Sequence, residues 1–570
     1  MPKVEIDKEK LNNLLLEKLN DEDFEKLLET AKAELKEIID NSIYKIEFND
    51  TNRPDLWSTE GLARHINTFL KKKKYNYSFF KNKPFAQIIV DKKLKNIRPY
   101  ITAFIAKNIN IDEKLLKELI NKQERFSENY GRKRKDIAIG IYKSKRIKFP
   151  VYFKAVKPYE YKFTPLGFDN KIDLSEIIEK HPKGIEYGSI VKEFEYFPLI
   201  VDSKNEVLSF PPIINSREIG EVEIGDDEIF IEMTGTNLRN LLLVSNIFAC
   251  DLNDIGAEIV NLEIVYPYET DFGQRIITPF DFNESIEVSN DDIEKLIGEK
   301  VNSKLVIENL KKMGFYKLQI LSSKKKINRI KVSIPNYRQD IMHPVDIAED
   351  FLIAYGYSNI EPEMPKEFTV GQLNDLEIFS DKVRSIVIGV GFQEIISNIL
   401  NSKENIYYKM SKEEGTAVEI LNPMSESYNL LRNSIIPSLL EVEQRSAKAE
   451  YPHRIFEVGE IVVKDENENY GTKTLLNLGL LSANSNANFS EMESYINTIF
   501  YYIGLDNFKK EERDFKFLIP GRSAEIICNN QIIGIIGEIH PEILLKWDIN
   551  MPVVCAEINL NSILNILKYE

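Results

Sequence analysis

The sequence predicts an α+β multidomain chain. Its 570 residues suit about three to five domains at roughly 100–200 residues each. Helical stripes give way to strand-like runs and back again along the chain, and a long antiparallel pattern closes it. Hydrophobic residues make up 43% and charged residues 29%, the mix of a folded soluble protein.

Residues 1–40 read as helical. Leu11, Leu14, Leu15 and Leu19 form one stripe, and Phe24, Leu27, Leu28, Ala31, Leu35 and Ile38 form another behind the N-cap signal Asn20-Asp21. A turn signal, Asn52-Arg53-Pro54-Asp55, follows. Strands are expected at Gln87–Val90 and Ile101–Ile105, then a mixed α/β stretch over 110–275 with glycine-punctuated short runs. Ser289 should cap a short helix ending at Gly298, and a second helix should start at Ser303 and stop at Gly314, before a strand over Ile327–Ile334. From near Asn374 a helix, Ile378–Gly389, leads into strands at Val418–Leu421, Arg454–Val463, Leu475–Leu481, Ala524–Cys528, Ile532–Ile536 and Val553–Ile558. The domains are therefore expected at 1–85, 86–275, 276–370 and 371–570.

No apolar run approaches the ~18–20 residues that span a bilayer, and Met1–Glu5 has no apolar signal core. No membrane partner is expected. Cys250, Cys528 and Cys555 share no metal-like spacing, which fits a reducing cytoplasm. The formal charge of −15 does not draw nucleic acid through the overall field. RNA contact would need a local patch, with Lys71–Lys74, Arg132–Lys135 and Lys324–Lys326 as candidates, or a partner. Each run also reads as a solvated face.

Two segments carry possible chemistry. In the first, Pro344 suits the first turn of a helix that Gly356 stops. Asp346, Glu349 and Asp350 then fall at i, i+3 and i+4 on one helix face, and Asp340 precedes the turn. Hard oxygen donors with waters suit magnesium. From spacing alone, an acidic helix start favoured by the dipole, with Arg338 as ion-pair partner to one carboxylate, is the simpler reading of the same residues. In the second segment, Val207–Ser216 and Phe230–Thr236 set small polar side chains at strand ends around Pro211-Pro212, suited to a small ligand. Glu232 could position a water or bind an ammonium group, and no Ser-His-Asp set or metal pair is evident. Turns whose polar side chains satisfy themselves would look the same.

Read in order, the motifs Asn52–Leu56 with Glu60–Arg64, Gly140–Tyr142, His181–Gly184, Pro211–Ser216, Thr234–Thr236, Tyr337–Ile341, Ala354–Tyr357 and Pro520–Ala524 resemble the phenylalanyl-tRNA synthetase beta subunit family in its archaeal and eukaryotic form. The resemblance covers nearly the whole chain. It implies a mixed α/β editing domain, a small helical magnesium-binding domain and a catalytically inactive class II synthetase-like antiparallel sheet domain. It implies an editing pocket at Leu208, Ser216, Glu232 and Thr234 that hydrolyses mischarged Tyr-tRNA(Phe), and Mg2+ ligands at Asp340, Asp346, Glu349 and Asp350. The implied partners are tRNA(Phe) and an alpha subunit, two alpha with two beta, with ATP and phenylalanine bound by alpha in the cytoplasm.

Class II sites place one arginine on the ATP α-phosphate and a second in a glycine-rich strand–helix. Gly391–Glu394 resembles the start of the interface motif, Arg454–Glu457 resembles the second motif with shifted spacing, and Gly521-Arg522 with Gly534–Gly537 makes no convincing third. The alternatives are a non-editing scaffold or RNA-binding relative, and a free-standing magnesium-dependent hydrolase.

Overall fold

A computed structural model describes residues 2–322 and 328–569, so the candidate patch Lys324–Lys326 and Ile327 lie outside the described residues. The chain divides into two compact units, Met1–Glu363 and Met364–Glu570. No helix among the described residues is long and apolar enough to cross a membrane.

The first unit opens differently from the helical reading. Lys3–Asp7, Ile43–Phe48 and Ala33–Ile39 form a three-stranded antiparallel sheet with Ile43–Phe48 in the centre, and only Lys8–Leu14 and Asp21–Leu28 are α-helical. The helical stripe ends where Lys32 turns left-handed at φ 52°. Val4 and Ile6 alternate inward as strand residues.

A ten-stranded mixed sheet follows. From one edge its antiparallel part runs Ile137–Lys143, Glu228–Gly235, Tyr100–Lys107, Glu258–Val265. Parallel joins then lead through Ala86–Val90 to Val151–Val156, and Phe197–Val201, Val207–Phe210 and Ile214–Asn215 complete that side. The helix Leu238–Asp254, buried along almost all of its length, covers one face. Helix Thr59–Lys71 packs against it and anchors through buried Arg64, whose guanidinium bonds Asp251 at 3.0 Å and Asp254 at 2.6 Å.

Residues 285–356 are less purely helical than expected. Ser285–Ser289, Asn328–Ser333 and Leu318–Ser322 form an antiparallel sheet under helices Asn290–Ile297, Ser303–Lys312 and Pro344–Tyr355. Ser289 caps its helix in a reciprocal box with Asp292, and Gly298 ends it at φ 78°.

The second unit is built on a seven-stranded sheet. His453–Lys464 and Thr472–Ala483 pair along their whole length. Every neighbour is antiparallel except the short Gln393–Glu394, which runs parallel to His453–Lys464. Helices Asp375–Gly389, Phe489–Ile503 and Leu560–Tyr569 cover one face of the sheet. Ile436–Arg445 and Pro541–Lys546 fill the other.

Candidate functional site

The site grows from strand Glu228–Gly235, which lies between two neighbours and so is held on both edges. Alternation sends Ile229, Ile231 and Met233 into one core, and Phe230, Glu232 and Thr234 to the opposite face. Gly140 stands opposite Glu232 in register. A Cβ there would collide with the Tyr142 hydroxyl and lie 2.5 Å from Glu232 Oε1. The missing side chain is what lets Tyr142 donate its hydroxyl proton to Glu232 Oε1 at 2.7 Å.

Glu232 is 3% exposed and its Oε2 has no hydrogen-bond partner. Burial pushes its carboxyl up to about 7, against the Tyr142 hydrogen bond and the charge of Arg98, which both act downward. Burial, reinforced by the Glu232 charge, raises the Tyr142 phenol well above its ordinary range, so it stays a donor. The result is a carboxyl that titrates near neutrality with one free oxygen.

Glu232 lines a cavity of about 650 Å3, within the size range of small-molecule sites. Its apolar wall comes from helix Glu113–Arg125 and strand Ile137–Lys143, through Leu116, Leu119, Ile139 and Ile141. Ser209 and Asn215 add polar atoms, and Arg134, Lys183 and Arg217 add positive charge.

Of the four residues expected in the pocket, Glu232 reaches the cavity wall. Leu208 packs in the core with Tyr142 and Phe230. Ser216 caps the turn Arg217–Gly220, and its amide bonds the Leu208 carbonyl at 2.8 Å. Thr234 Oγ1 accepts from Arg98 Nε at 2.8 Å, and its carbonyl from the same guanidinium at 2.6 Å. These three support the wall from behind. Their sequence neighbours Ser209 and Asn215 face inward instead, the expected consequence of strand alternation. Sequence reading passed over Arg98, which lies far from Thr234 along the chain. His181, the nearest imidazole in the motif string, is spent as a helix cap: Nδ1 accepts from the Lys183 amide and Nε2 faces the Leu166 carbonyl, both at 3.1 Å. Of the carboxyls in the lining, Glu124, Asp169 and Glu221 are exposed and Glu232 is buried, so Glu232 is the one placed to recognise a ligand inside the cavity.

The acidic segment forms a different arrangement from a shared metal shell. Arg338 stands between the carboxylates. It pairs with both oxygens of Asp340, Nε to Oδ1 at 3.0 Å, and with Asp350 Oδ2 at 2.7 Å. Asp346 turns back to accept from the Met342 and His343 amides, each at 2.7 Å, as a helix cap. Glu349, half-exposed, meets Lys32 Nζ at 2.5 Å. Among the described residues no three His, Cys, Asp or Glu side chains gather as a metal site. The expected set Asp340, Asp346, Glu349 and Asp350 is therefore split: a guanidinium supplies the compensating charge, and the dipole-and-arginine reading of the same residues describes their contacts. These side chains as they stand do not fit a common Mg2+.

In the second unit, the arginines singled out by motif are engaged. Arg522 pairs with Glu538 at 2.8 Å, and Arg454 lies over Tyr495, 3.8 Å from Glu491. The sheet face under Ile436–Arg445 is closed so tightly that a Cβ at Gly479 would lie 2.7 Å from Ile435 and 3.1 Å from Leu439.

Comparison with known proteins first gives the class. Residues 286–357 match the tRNA synthetase B5 domain, so the chain is of the aminoacyl-tRNA synthetase class. Residues 1–72 match the Phe-tRNA synthetase beta subunit B1 domain, and 360–560 the phenylalanyl tRNA synthetase beta chain CLM domain. The chain is 43% identical to the phenylalanine--tRNA ligase beta subunit of Borrelia recurrentis (strain A1), over 99% of this chain and 100% of that protein. It is equally close, at 43% and the same coverage, to that of Borrelia duttonii (strain Ly). An N-terminal fragment of the phenylalanyl-tRNA synthetase beta-subunit from Pyrococcus horikoshii, known from its crystal structure, is 39% identical with a TM-score of 0.58, over 62% of this chain and 100% of the fragment. The chain belongs to the phenylalanine--tRNA ligase beta subunit family, and is a ligase subunit.

Proposed function

We propose that the cavity at Glu232 removes tyrosine from mischarged Tyr-tRNA(Phe), while a partner alpha subunit, in an assembly of two alpha and two beta chains in the cytoplasm, binds ATP and phenylalanine and charges tRNA(Phe). The observation that carries the editing reading is the buried Glu232 carboxyl in the cavity lining, whose Oε2 has no hydrogen-bond partner. Tyrosine and phenylalanine differ by one hydroxyl. A site with a buried polar group waiting for that hydroxyl rejects the analogue that leaves it unpaired. Glu232 then acts by binding: it receives the phenol, and water breaks the ester bond between the tyrosyl carbonyl carbon and the ribose oxygen, its hydroxyl bonding to the carbonyl carbon to give free tyrosine and its proton passing to the ribose oxygen.

Charging is assigned to alpha because both motif arginines of the second unit lie against carboxylates and the sheet face beneath Ile436–Arg445 is filled. A triphosphate needs such charges free and a face to lie on. This supports a class II synthetase-like domain that keeps the fold and has lost the chemistry. The archaeal and eukaryotic form is supported by full coverage of the Pyrococcus fragment, although the full-length relatives quoted above come from Borrelia. Asp346 and Glu349 are the more exposed pair of the expected four, so a cation there would draw its remaining donors from outside this chain.

Co-expression with the alpha subunit tests the reading. The assembly should charge tRNA(Phe) and deacylate Tyr-tRNA(Phe), and this chain alone should not exchange pyrophosphate with phenylalanine and ATP. Charging without deacylation would favour the non-editing scaffold. Exchange by this chain alone would refute the inactive domain.

A further inference from the structure

We propose that the loop Gly131–Asp136 docks the phosphate backbone of the RNA whose 3′ end enters the Glu232 cavity, with Lys133 and Lys135 as the contacting charges. This rests on the editing reading of the cavity and says how the nucleic acid reaches it.

Two of the basic runs in the sequence fall within the described residues. At Lys71–Lys74, Lys71 pairs with Glu17, Lys73 and Lys74 lie over the rings of Tyr75 and Tyr316, and none of the run lines the cavity. Lys72, Lys73 and Lys74 are exposed and in no ion pair among the described residues, so Arg132–Lys135 differs in its place beside the cavity. Arg134 forms part of the cavity wall, held by bonds to the Pro212 and Ile213 carbonyls at 3.1 and 3.0 Å and stacked 4.3 Å over Tyr187. Arg132 is neutralised by Asp136. Lys133 and Lys135 are exposed and take part in no ion pair among the described residues. Two free cations therefore stand beside the residue that forms the rim.

The loop is also held in an unusual shape. Arg132, Lys133 and Arg134 are successive non-glycine residues at φ 48, 54 and 63°, a conformation side chains other than Asn and Asp rarely adopt. It persists because its surroundings fix it. The Lys133 and Arg134 amides bond Glu128 and Ser127 carbonyls at 3.0 and 2.9 Å. Arg98 clamps the Lys135 and Arg134 carbonyls at 3.1 and 3.2 Å while its other bonds hold Thr234, two residues from Glu232. Strain kept at a site by its neighbours is characteristic of ligand clamps. Here one buried guanidinium fixes both the lysine-bearing loop and the strand that carries Glu232. An overall acidic chain needs such a local cationic approach to hold RNA near the cavity, where phosphate contacts position the strand without reading its sequence.

The test uses the assembled enzyme with Lys133→Asn and Lys135→Ala combined, asparagine being chosen because it tolerates the left-handed backbone. Binding of uncharged tRNA(Phe) is measured from about 50 to 200 mM salt, and the slope of log affinity against log salt should fall by about one for each lysine. Deacylation of Tyr-tRNA(Phe) should show a raised KM with kcat kept, and hydrolysis of tyrosyl-adenosine, which lacks the phosphates, should not change. The double variant with arginine at both positions should restore the slope. An unchanged slope, or an equal loss on tyrosyl-adenosine, overturns the docking. If wild-type enzyme binds tRNA(Phe) but removes no tyrosine from it, the cavity reading falls, and the salt slope still decides whether this loop meets phosphate.

Discussion

Glu232→Gln should remove a specific pH dependence from the stability of the first unit. Burial raises the Glu232 carboxyl from its ordinary 4.5 to about 7. A group that holds its proton more tightly in the native state stabilises the fold fully below its unfolded value, and that stabilisation is lost as pH rises through the folded value. The loss therefore falls between about pH 4.5 and pH 7. The gap corresponds to roughly 3 kcal/mol at about 1.36 kcal/mol for each pH unit, with no discount for screening because the group is buried. Glutamine keeps the acceptor for the Tyr142 hydroxyl and does not ionise. The chain has two tryptophans, buried Trp57 in the first unit and buried Trp547 in the second. In a Trp547→Phe background, Trp57 fluorescence follows urea unfolding of the first unit alone. Between about pH 4.5 and 7 the protein with the native carboxyl should lose about 3 kcal/mol more than the Glu232→Gln variant. Parallel pH profiles for the two proteins would refute the burial of an ionisable carboxyl at this position.

Further predictions concern the partners of Glu232 and the acidic segment. Tyr142→Phe deletes the donor that pulls the Glu232 carboxyl down; it should cost about 1–3 kcal/mol and move the alkaline rise of the deacylation pH profile upward, read by rate against pH. Gly140→Ala puts a methyl into the Tyr142–Glu232 contact and should cost about 1–3 kcal/mol in the same urea assay. Arg338→Gln leaves Asp350 without its ion-pair partner and Asp340 with Arg53 alone, at 3.9 Å, and should destabilise the first unit by about 3–5 kcal/mol. Millimolar magnesium should leave the unfolding midpoint of the wild-type first unit in place, because all four carboxylates already have protein partners. A magnesium-dependent rise in that midpoint would restore the metal reading of Asp340, Asp346, Glu349 and Asp350.

What the sequence made legible follows from how local each signal is. The helix Pro344–Tyr355 is written by proline in its first turn and by Gly356 after its end, and both are where the structure has them. The paired strands His453–Lys464 and Thr472–Ala483 are long enough for their β-rich runs to be unmistakable. The first forty residues misled because Leu35 and Ile38 sit three apart, a helical spacing. They are strand residues facing Ile46 and Tyr44, and a bulge between Leu35 and Glu37 inserts the extra residue that makes the spacing odd. The carboxylates at 346, 349 and 350 do have helical spacing, yet their partners lie elsewhere in the chain: Arg338 draws Asp350 inward, Lys32 draws Glu349 outward, and Asp346 closes on the helix start. Glu232 was legible as a carboxyl inside an apolar strand. The clamp Arg98 and the wall residues Leu116 and Leu119 come from distant segments that only the sheet order brings together.

The Glu232 carboxyl selects tyrosine for removal in the proposed editing reaction. This selection is tested most directly by measuring deacylation of Tyr-tRNA(Phe) and Phe-tRNA(Phe) by the assembled enzyme, with wild-type chain and with Glu232→Ala. Wild type should clear tyrosine and spare phenylalanine. The variant should lose about ten- to a hundredfold in tyrosine removal, the value of one hydrogen bond to an ionisable group at about 1.5–3 kcal/mol, while charging with phenylalanine continues. Equal deacylation of Tyr-tRNA(Phe) by variant and wild type would contradict this selection.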